Sequence, residues 1–182
     1  MHTGVKMTAV SEGPRGSAPP AGEIGRLAGK YMTFKLANEE YGLEILKVRE
    51  LIRLMEITRV PRTPDFIRGV INLRGKVIPV VDLRRKLDML ACDATDQSVI
   101  IVVQVEVEES CLTMGILVDQ VLEVLSIDER QIEPPPALGA SGLEDASFIL
   151  GVGKAEKRVI FLVDIGRVLT SDDTGALSRA AA

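Results

Sequence analysis

The sequence predicts a mainly β protein: two similar β-units that share one core, with short helices between strands. Three observations predict this. Apolar residues make up 46% of the chain, yet aromatics only 3%, and Trp is absent. The core must therefore be Val, Ile and Leu, and abundant β-branched residues favour strands. The stretch Gly69 to Leu83, GVINLRGKVIPVVDL, sets two apolar runs around the polar tetrapeptide Asn72-Leu73-Arg74-Gly75, the pattern of a hairpin. The pattern returns: a shift of 82 residues lays Ile67–Leu87 on Ile149–Leu169 without a gap.

The elements follow in order. Residues 1 to 29 hold 6 of the 16 glycines and 3 of the 9 prolines, with no aromatic. Such a segment buries too little apolar surface to offset its ordering entropy, so it is expected to be a disordered tail. Order starts near Tyr31, and one domain is expected over 30–170. Tyr31 to Leu36 alternates and predicts a strand, Asn38-Glu39-Glu40 a turn, and Tyr41 to Glu44 the returning strand. A short turn is expected near Ile45 to Lys47, then a strand from Val48. Val60 to Pro64 breaks the chain, and Phe66 to Val70 begins the central hairpin. Asn72 and Gly75 tolerate left-handed backbone angles, which puts Arg74 at the hairpin tip. Pro79 lacks a donor, so its strand is expected at an edge or with a bulge. Asp82 is placed to cap a short basic helix, Leu83 to Leu87.

In the second half Val99 to Val107 is a strongly apolar strand, followed by a turn at Glu108 to Ser110. Cys111 to Leu117 and Val121 to Ile127 are strands around Asp119-Gln120. Pro134 to Ser147 reads as a loop. Phe148 to Val152 and Arg158 to Val163 form a second hairpin, and Asp164 starts a short helix. Residues 171–182 are polar, then small, and are expected to fray.

The repeat carries nine identities: Ile67/Ile149, Gly69/Gly151, Val70/Val152, Val77/Val159, Ile78/Ile160, Val81/Val163, Asp82/Asp164, Arg85/Arg167 and Leu87/Leu169. A weaker match at an offset of 73 pairs Gly42/Gly115, Val48/Val121 and Glu50/Glu123. The pseudo-repeats span about 31–87 and 98–169, with an exchange of strands between them possible. Units of that size have marginal cores alone, so the two should share one. The hairpins agree in their strands and differ at the turn, where Asn72-Leu-Arg-Gly75 stands against Lys154-Ala-Glu-Lys157. What both keep reads as fold; what one alone has reads as contact.

Composition excludes several classes. The net charge of −4 lacks the basic excess of a nucleic-acid binder. Cys92 and Cys111 have no metal or redox spacing and suit a reducing cytoplasm. No apolar run reaches the roughly 18 residues of a membrane helix, so no direct insertion is expected. His2, in the tail, is the only histidine, which leaves no His for a nucleophile pair in the folded region. Gly151-Val-Gly153-Lys154 lacks the spacing of a phosphate loop. Asp82 and Asp164 invite comparison with a catalytic carboxylate pair, but each follows a strand and precedes a helix, so capping is the better reading. Neither enzyme nor cofactor is expected.

What remains is an adaptor. Two β-units on one core leave a groove suited to a partner helix or hairpin. Val48, Ile52, Val121 and Val124 are candidate walls, each equally readable as plain core. Arg74 and Glu50 are candidates to pair across the groove, against the reading of an idle surface ion pair.

The segments Tyr41-Gly42, Ile45 to Glu50, Thr63 to Gly75, Ile78 to Leu83, Gly115 to Asp119 and Val163-Asp164 together resemble the CheW family of chemotaxis coupling proteins, over about Tyr31 to Leu169. The resemblance implies two SH3-like five-stranded β-barrels and no catalytic activity. It implies a bridge between chemoreceptor signalling tips, docked between the barrels, and the regulatory domain of a CheA-type histidine kinase, met by the barrel ends. The protein would then be cytoplasmic and associated with receptor arrays at the inner membrane. The family's polar pair matches Glu50 and Arg74, with Asn72 in the same turn. Its coupling-sensitive positions match Val48, Gly69, Gly75, Gly115, Val121 and Val124. The long N-terminus, the proline-rich stretch Glu133 to Ser147 and the Ala-rich ending depart from the family pattern. A CheW-like scaffold of a surface-motility or developmental pathway is the alternative. The regulatory part of a larger kinase is disfavoured, since no kinase ATP-site motif is present.

Overall fold

The structure, a computed structural model, describes residues 21–107, 109–135 and 146–181. In chain order it contains α1 (Ala21–Leu27), β1 (Gly29–Leu36), β2 (Glu39–Glu44), a 3-10 turn (Ile45–Lys47) and β3 (Val48–Arg53). There follow β4 (Ile67–Leu73), β5 (Lys76–Asp82) and α2 (Leu83–Lys86). The second half has β6 (Val99–Val107), β7 (Ser110–Val118), β8 (Gln120–Ile127), a 3-10 turn (Glu129–Gln131) and β9 (Ile132–Glu133). After a 3-10 turn (Ala146–Phe148) come β10 (Ile149–Ala155), β11 (Arg158–Val163), α3 (Ile165–Val168) and α4 (Ser171–Ala181).

The strands form two sheets, in the orders β8-β1-β2-β11-β10-β9 and β3-β6-β7-β5-β4. They make two SH3-like barrels, here barrel one and barrel two. The orders superimpose strand for strand: β8 on β3, β1 on β6, β2 on β7, β11 on β5 and β10 on β4. The third strand of each half has been exchanged, so that β3 pairs with β6 and β8 with β1. Each barrel also joins hairpins from both halves through a parallel ladder. Val80 lies opposite Gly115 in one barrel, and Leu162 opposite Gly42 in the other. The offsets of 82 and 73 residues are thus two parts of one repeat, held in register by these ladders.

The core explains why the central strands are apolar throughout. Phe34 and Leu36 of β1 enter a cluster shared by both barrels, while Tyr31 enters barrel one's own cluster. On β6, Ile101, Val103 and Val105 face the shared cluster and Ile100 and Val102 barrel two's own. Strands covered on both faces read as continuous apolar runs. Phe34 and Tyr41 stack in the shared cluster with ring centroids 5.8 Å apart. Buried Thr33 donates its hydroxyl to the Glu123 carbonyl at 2.7 Å and so pins the exchanged β8.

Asp82 accepts from the Arg85 amide at 3.4 Å, and Asp164 from the Gly166 amide at 2.9 Å; both cap short helices.

Several expectations differ from the structure. The turn before β2 falls at Ala37-Asn38, with Ala37 at φ 55°, so Glu39 and Glu40 belong to the strand. Pro79 is not on an edge strand: β5 lies between β7 and β4. Its pairing with β7 begins only at Val80, so Pro79 faces no ladder there, and the irregularity falls on β4 between Ile67 and Gly69. Barrel one has a sixth, two-residue strand, β9, whose counterpart in barrel two is a single bridge between Thr58 and Val70.

The expected tail over 1–29 also differs. Residues 1–20 lie outside the described residues, but α1 is helical, with Ile24 and Leu27 one turn apart on barrel one's cluster. The expected fraying from Ser171 is replaced by α4, an 11-residue helix. Asp173, Ala176, Leu177 and Ala180 are its buried positions, an i, i+3, i+4, i+7 stripe. Small residues let the helix lie close, and Lys86 Nζ donates to Asp173 Oδ2 at 2.6 Å. Glu108 and residues 136–145, in the expected turn and loop, lie outside the described residues.

Candidate functional site

The β4–β5 turn is built by two residues with positive φ, Arg74 at 52° and Gly75 at 84°. That is the signature of a type I′ turn, whose twist matches the flanking strands. Asn72 does not take the left-handed conformation; its Oδ1 instead accepts from the Gly75 amide at 2.9 Å and locks the turn. From this rigid tip Arg74 reaches β3 and grips Glu50 with both ends of its guanidinium, Nη2 to Oε1 at 2.5 Å and Nη1 to Oε2 at 3.1 Å. The Arg74 side chain is 75% exposed and that of Glu50 26%. The carboxylate orients the cation, and of the five guanidinium N–H donors the three not given to Glu50 remain for a second acceptor.

Val48, on the same strand as Glu50, is half-buried against the shared cluster, and so is Val121 on β8. They stand opposite Val103 and Phe34, two residues of that cluster. Val124 is 47% exposed. Ile52 does not join them: it packs on barrel two's own cluster. Gly75 has open space around its α-carbon. Gly69 and Gly115 are buried and act through the backbone. A β-carbon on Gly115 would meet Ile100 Cγ2 at 2.6 Å. The structure thus brings Glu50, Asn72, Arg74 and Gly75 together, with Val48 beside them and Val121 and Val124 on the matching strand of the other barrel.

Two ionic clusters were not read from the sequence. Arg158, the first residue of β11, donates to Glu40 at 2.9 Å and to Glu123 at 2.6 Å. Glu123 is the repeat partner of Glu50, which was the available signal: each barrel ties its exchanged strand to its last hairpin by an Arg–Glu pair. Arg84 donates to Asp119 at 2.8 and 2.6 Å, and those hydrogen bonds hold its guanidinium above the usual arginine range. Asp119 also accepts from the Ala37 amide at 2.7 Å.

The repeat exposes a second feature. Leu51 and Val77 are 43% and 48% exposed, and their repeat partners Val124 and Val159 are 47% and 52% exposed. Both barrels therefore present the same pair of apolar side chains to solvent.

Two β-barrels exchanging a strand, with a fixed cation at one hairpin tip and matched apolar patches, define a small protein-binding module. The CheW-like domain family matches residues 30–173, and the chain belongs to that family. It is 36% identical over 163 residues to the chemotaxis protein CheW of Klebsiella aerogenes, covering 87% of this chain and 95% of that protein. It is 30% identical over 152 residues to protein FrzA of Myxococcus xanthus, covering 82% and 91% of the two chains. Among solved structures it resembles the scaffolding protein TtCheW of Thermoanaerobacter tengcongensis, with a TM-score of 0.69 and 35% identity over 81% of this chain and 96% of that one. It is thus a chemotaxis-type scaffold of signal transduction. Among the described residues, no helix is long and apolar enough to cross a membrane.

Proposed function

We propose that this protein is a non-catalytic adaptor that couples chemoreceptor signalling tips to a CheA-type histidine kinase, in arrays at the cytoplasmic face of the inner membrane. The bidentate Arg74–Glu50 pair carries this reading. It fixes an exposed, ion-paired guanidinium against β3, the strand that also carries half-buried Val48, as an interface anchor with a polar rim requires. A receptor tip is a helical hairpin, and Val48, Val121 and Val124 supply the apolar wall on which it would rest. Gly75 serves the site by forming its turn, while Gly69 and Gly115 act at a distance by keeping the barrel-two backbone closely packed. Leu51 and Val77 at one barrel end and Val159 at the other give an apolar contact for the kinase's regulatory domain. Contacts to two partners at once raise array affinity by multivalency, and differential contacts bias the kinase between states. Asp82 and Asp164, the one carboxylate pair that could suggest catalysis, are engaged as helix caps. The test is reconstitution: kinase autophosphorylation with receptor-containing membranes, with and without this protein. A receptor-dependent change in rate that needs the protein supports coupling; an unchanged rate with cognate components refutes it.

The relationship to protein FrzA favours a second reading, a CheW-like scaffold of a receptor–kinase pathway for surface motility or development. Deleting the gene separates the two: loss of swimming chemotaxis alone supports the first reading, loss of surface movement alone the second.

A further inference from the structure

The repeat places two clefts at equivalent positions. In barrel two, Asp65, Ile67, Arg68 and Arg85 line a cleft of about 260 Å3. In barrel one, their partners at an offset of 82, Ser147, Ile149, Leu150 and Arg167, line another. Two hydrogen bonds of the frame agree. Arg85 Nη1 donates to the Asp65 carbonyl at 3.3 Å, and Arg167 Nη1 to the Ser147 carbonyl at 3.5 Å. The Asp82 amide donates to Phe66 at 2.7 Å, and the Asp164 amide to Phe148 at 2.9 Å.

The clefts are built alike and lined differently. In barrel one the chain supplies its own wall: α1 contributes Glu23, Arg26 and Leu27. Leu27 Cδ1 comes within 3.3 Å of where a β-carbon on Gly151 would lie, and Ile24 and Leu27 pack on the barrel's cluster. No counterpart of α1 lines the barrel-two cleft among the described residues, where the only helical lining residue is Arg85 of α2. There Arg68 stands where barrel one has Leu150, and Arg59 adds a second cation. Arg68 and Arg85 share a single carboxylate, Asp82, at 3.4 and 3.5 Å, and Arg59 has no ion pair among the described residues. Three guanidinium groups against two carboxylates, Asp65 in the lining and Asp82 shared by Arg68 and Arg85, leave this cleft positive in a chain whose net charge is −4.

We propose that the barrel-two cleft docks a short acidic amphipathic helix of a partner protein, seated as α1 is seated in barrel one. α1 is the template for its shape: one helical turn with apolar side chains three residues apart. The exchange of Leu150 for Arg68, together with Arg59, sets the charge of the occupant, because guanidinium forks take carboxylates in paired hydrogen bonds. Half-buried Ile57 supplies apolar contact beside them. Arg68 and Arg74 lie near opposite ends of β4, so this surface is separate from the Arg74–Glu50 pair.

The test uses the full 15N-labelled chain and two synthetic helices, Ac-AEEIAELLAEEA-NH2 and the same peptide with every Glu replaced by Lys. The acidic peptide is expected to shift amides between Ile57 and Arg68 and at Arg85, and the lysine peptide to shift none of them. Arg59→Glu with Arg68→Glu, folded by circular dichroism, should weaken the acidic peptide by about tenfold or more. Arg59→Ala, which alters an exposed side chain outside the sheets, gives an independent reading in the same direction. No binding, equal binding of both peptides, or shifts confined to other surfaces would overturn the proposal. So would saturation of the cleft by inorganic phosphate without any response to the acidic peptide.

Discussion

The carbonyl oxygen of Thr58 lies 2.1 Å from where a β-carbon on Gly69 would sit, and Gly69 has φ 142°. Thr58 and Val70 exchange backbone hydrogen bonds of 2.9 and 2.8 Å across this contact. In the other barrel a β-carbon on Gly151 would meet the Glu133 carbonyl at 3.0 Å. The glycine kept by both halves therefore admits a crossing backbone.

Gly69→Ala should then cost about 4 kcal/mol or more, through both the clash and the positive φ, and Gly151→Ala about 1–2 kcal/mol. Urea denaturation of the two variants measures this order. Equal costs would show that the crossing at Thr58 gives way easily.

α4 is part of the shared core. Leu177 is fully buried there, so Leu177→Ala should cost about 2–5 kcal/mol. A thermal melt reads the loss. An unchanged melting temperature would mean that α4 is not held against the barrels in solution.

Asp173 gives a pH dependence. Burial works against its charged form, but hydrogen bonds from Lys86 and Thr170 outweigh it and hold the carboxyl below its usual range. The folded pKa thus lies below the unfolded value of about 3.9. Its contribution is complete above that value and is lost as pH falls through the folded pKa. Asp173→Asn should lower stability at pH 7 by about 1–3 kcal/mol and flatten the acid limb of a stability–pH curve. A limb of unchanged slope would assign the acid sensitivity to other carboxylates.

The exposed apolar pairs separate binding from folding. Val77→Asp and Val159→Asp alter side chains about half in solvent, so each should change stability by about 0.5 kcal/mol or less. Each should weaken kinase binding in a pull-down. Full binding by both would remove the barrel ends from the interface.

The sequence revealed most of the fold because the repeat was ungapped and the strands carried clear apolar patterns. The β3 start at Val48 and the bounds of β6 follow from such runs. Other features needed three dimensions. The sequence leaves the strand exchange open, because β3 and β8 sit in the same sequence position in each half whichever barrel they join. α4 is not legible because its buried stripe holds two alanines, an aspartate and a single large apolar residue, Leu177. The rule that shared residues mean fold fails at Val77 and Val159, identical yet exposed. Of the site, Arg74 and Glu50 were legible as a turn cation and a nearby acid. The barrel-two cleft was not, since Arg59, Arg68 and Arg85 are scattered along the chain.

In the proposed coupling role Arg74 is the exposed, oriented contact. The decisive measurement is co-sedimentation of wild type and Arg74→Ala with receptor-containing membranes and the cognate CheA-type kinase. An exposed pair contributes about 0–1 kcal/mol to folding, so the variant should remain folded by circular dichroism. Wild type is expected in the pellet with both partners and the variant in the supernatant. Equal sedimentation of the two would contradict the assignment of the site.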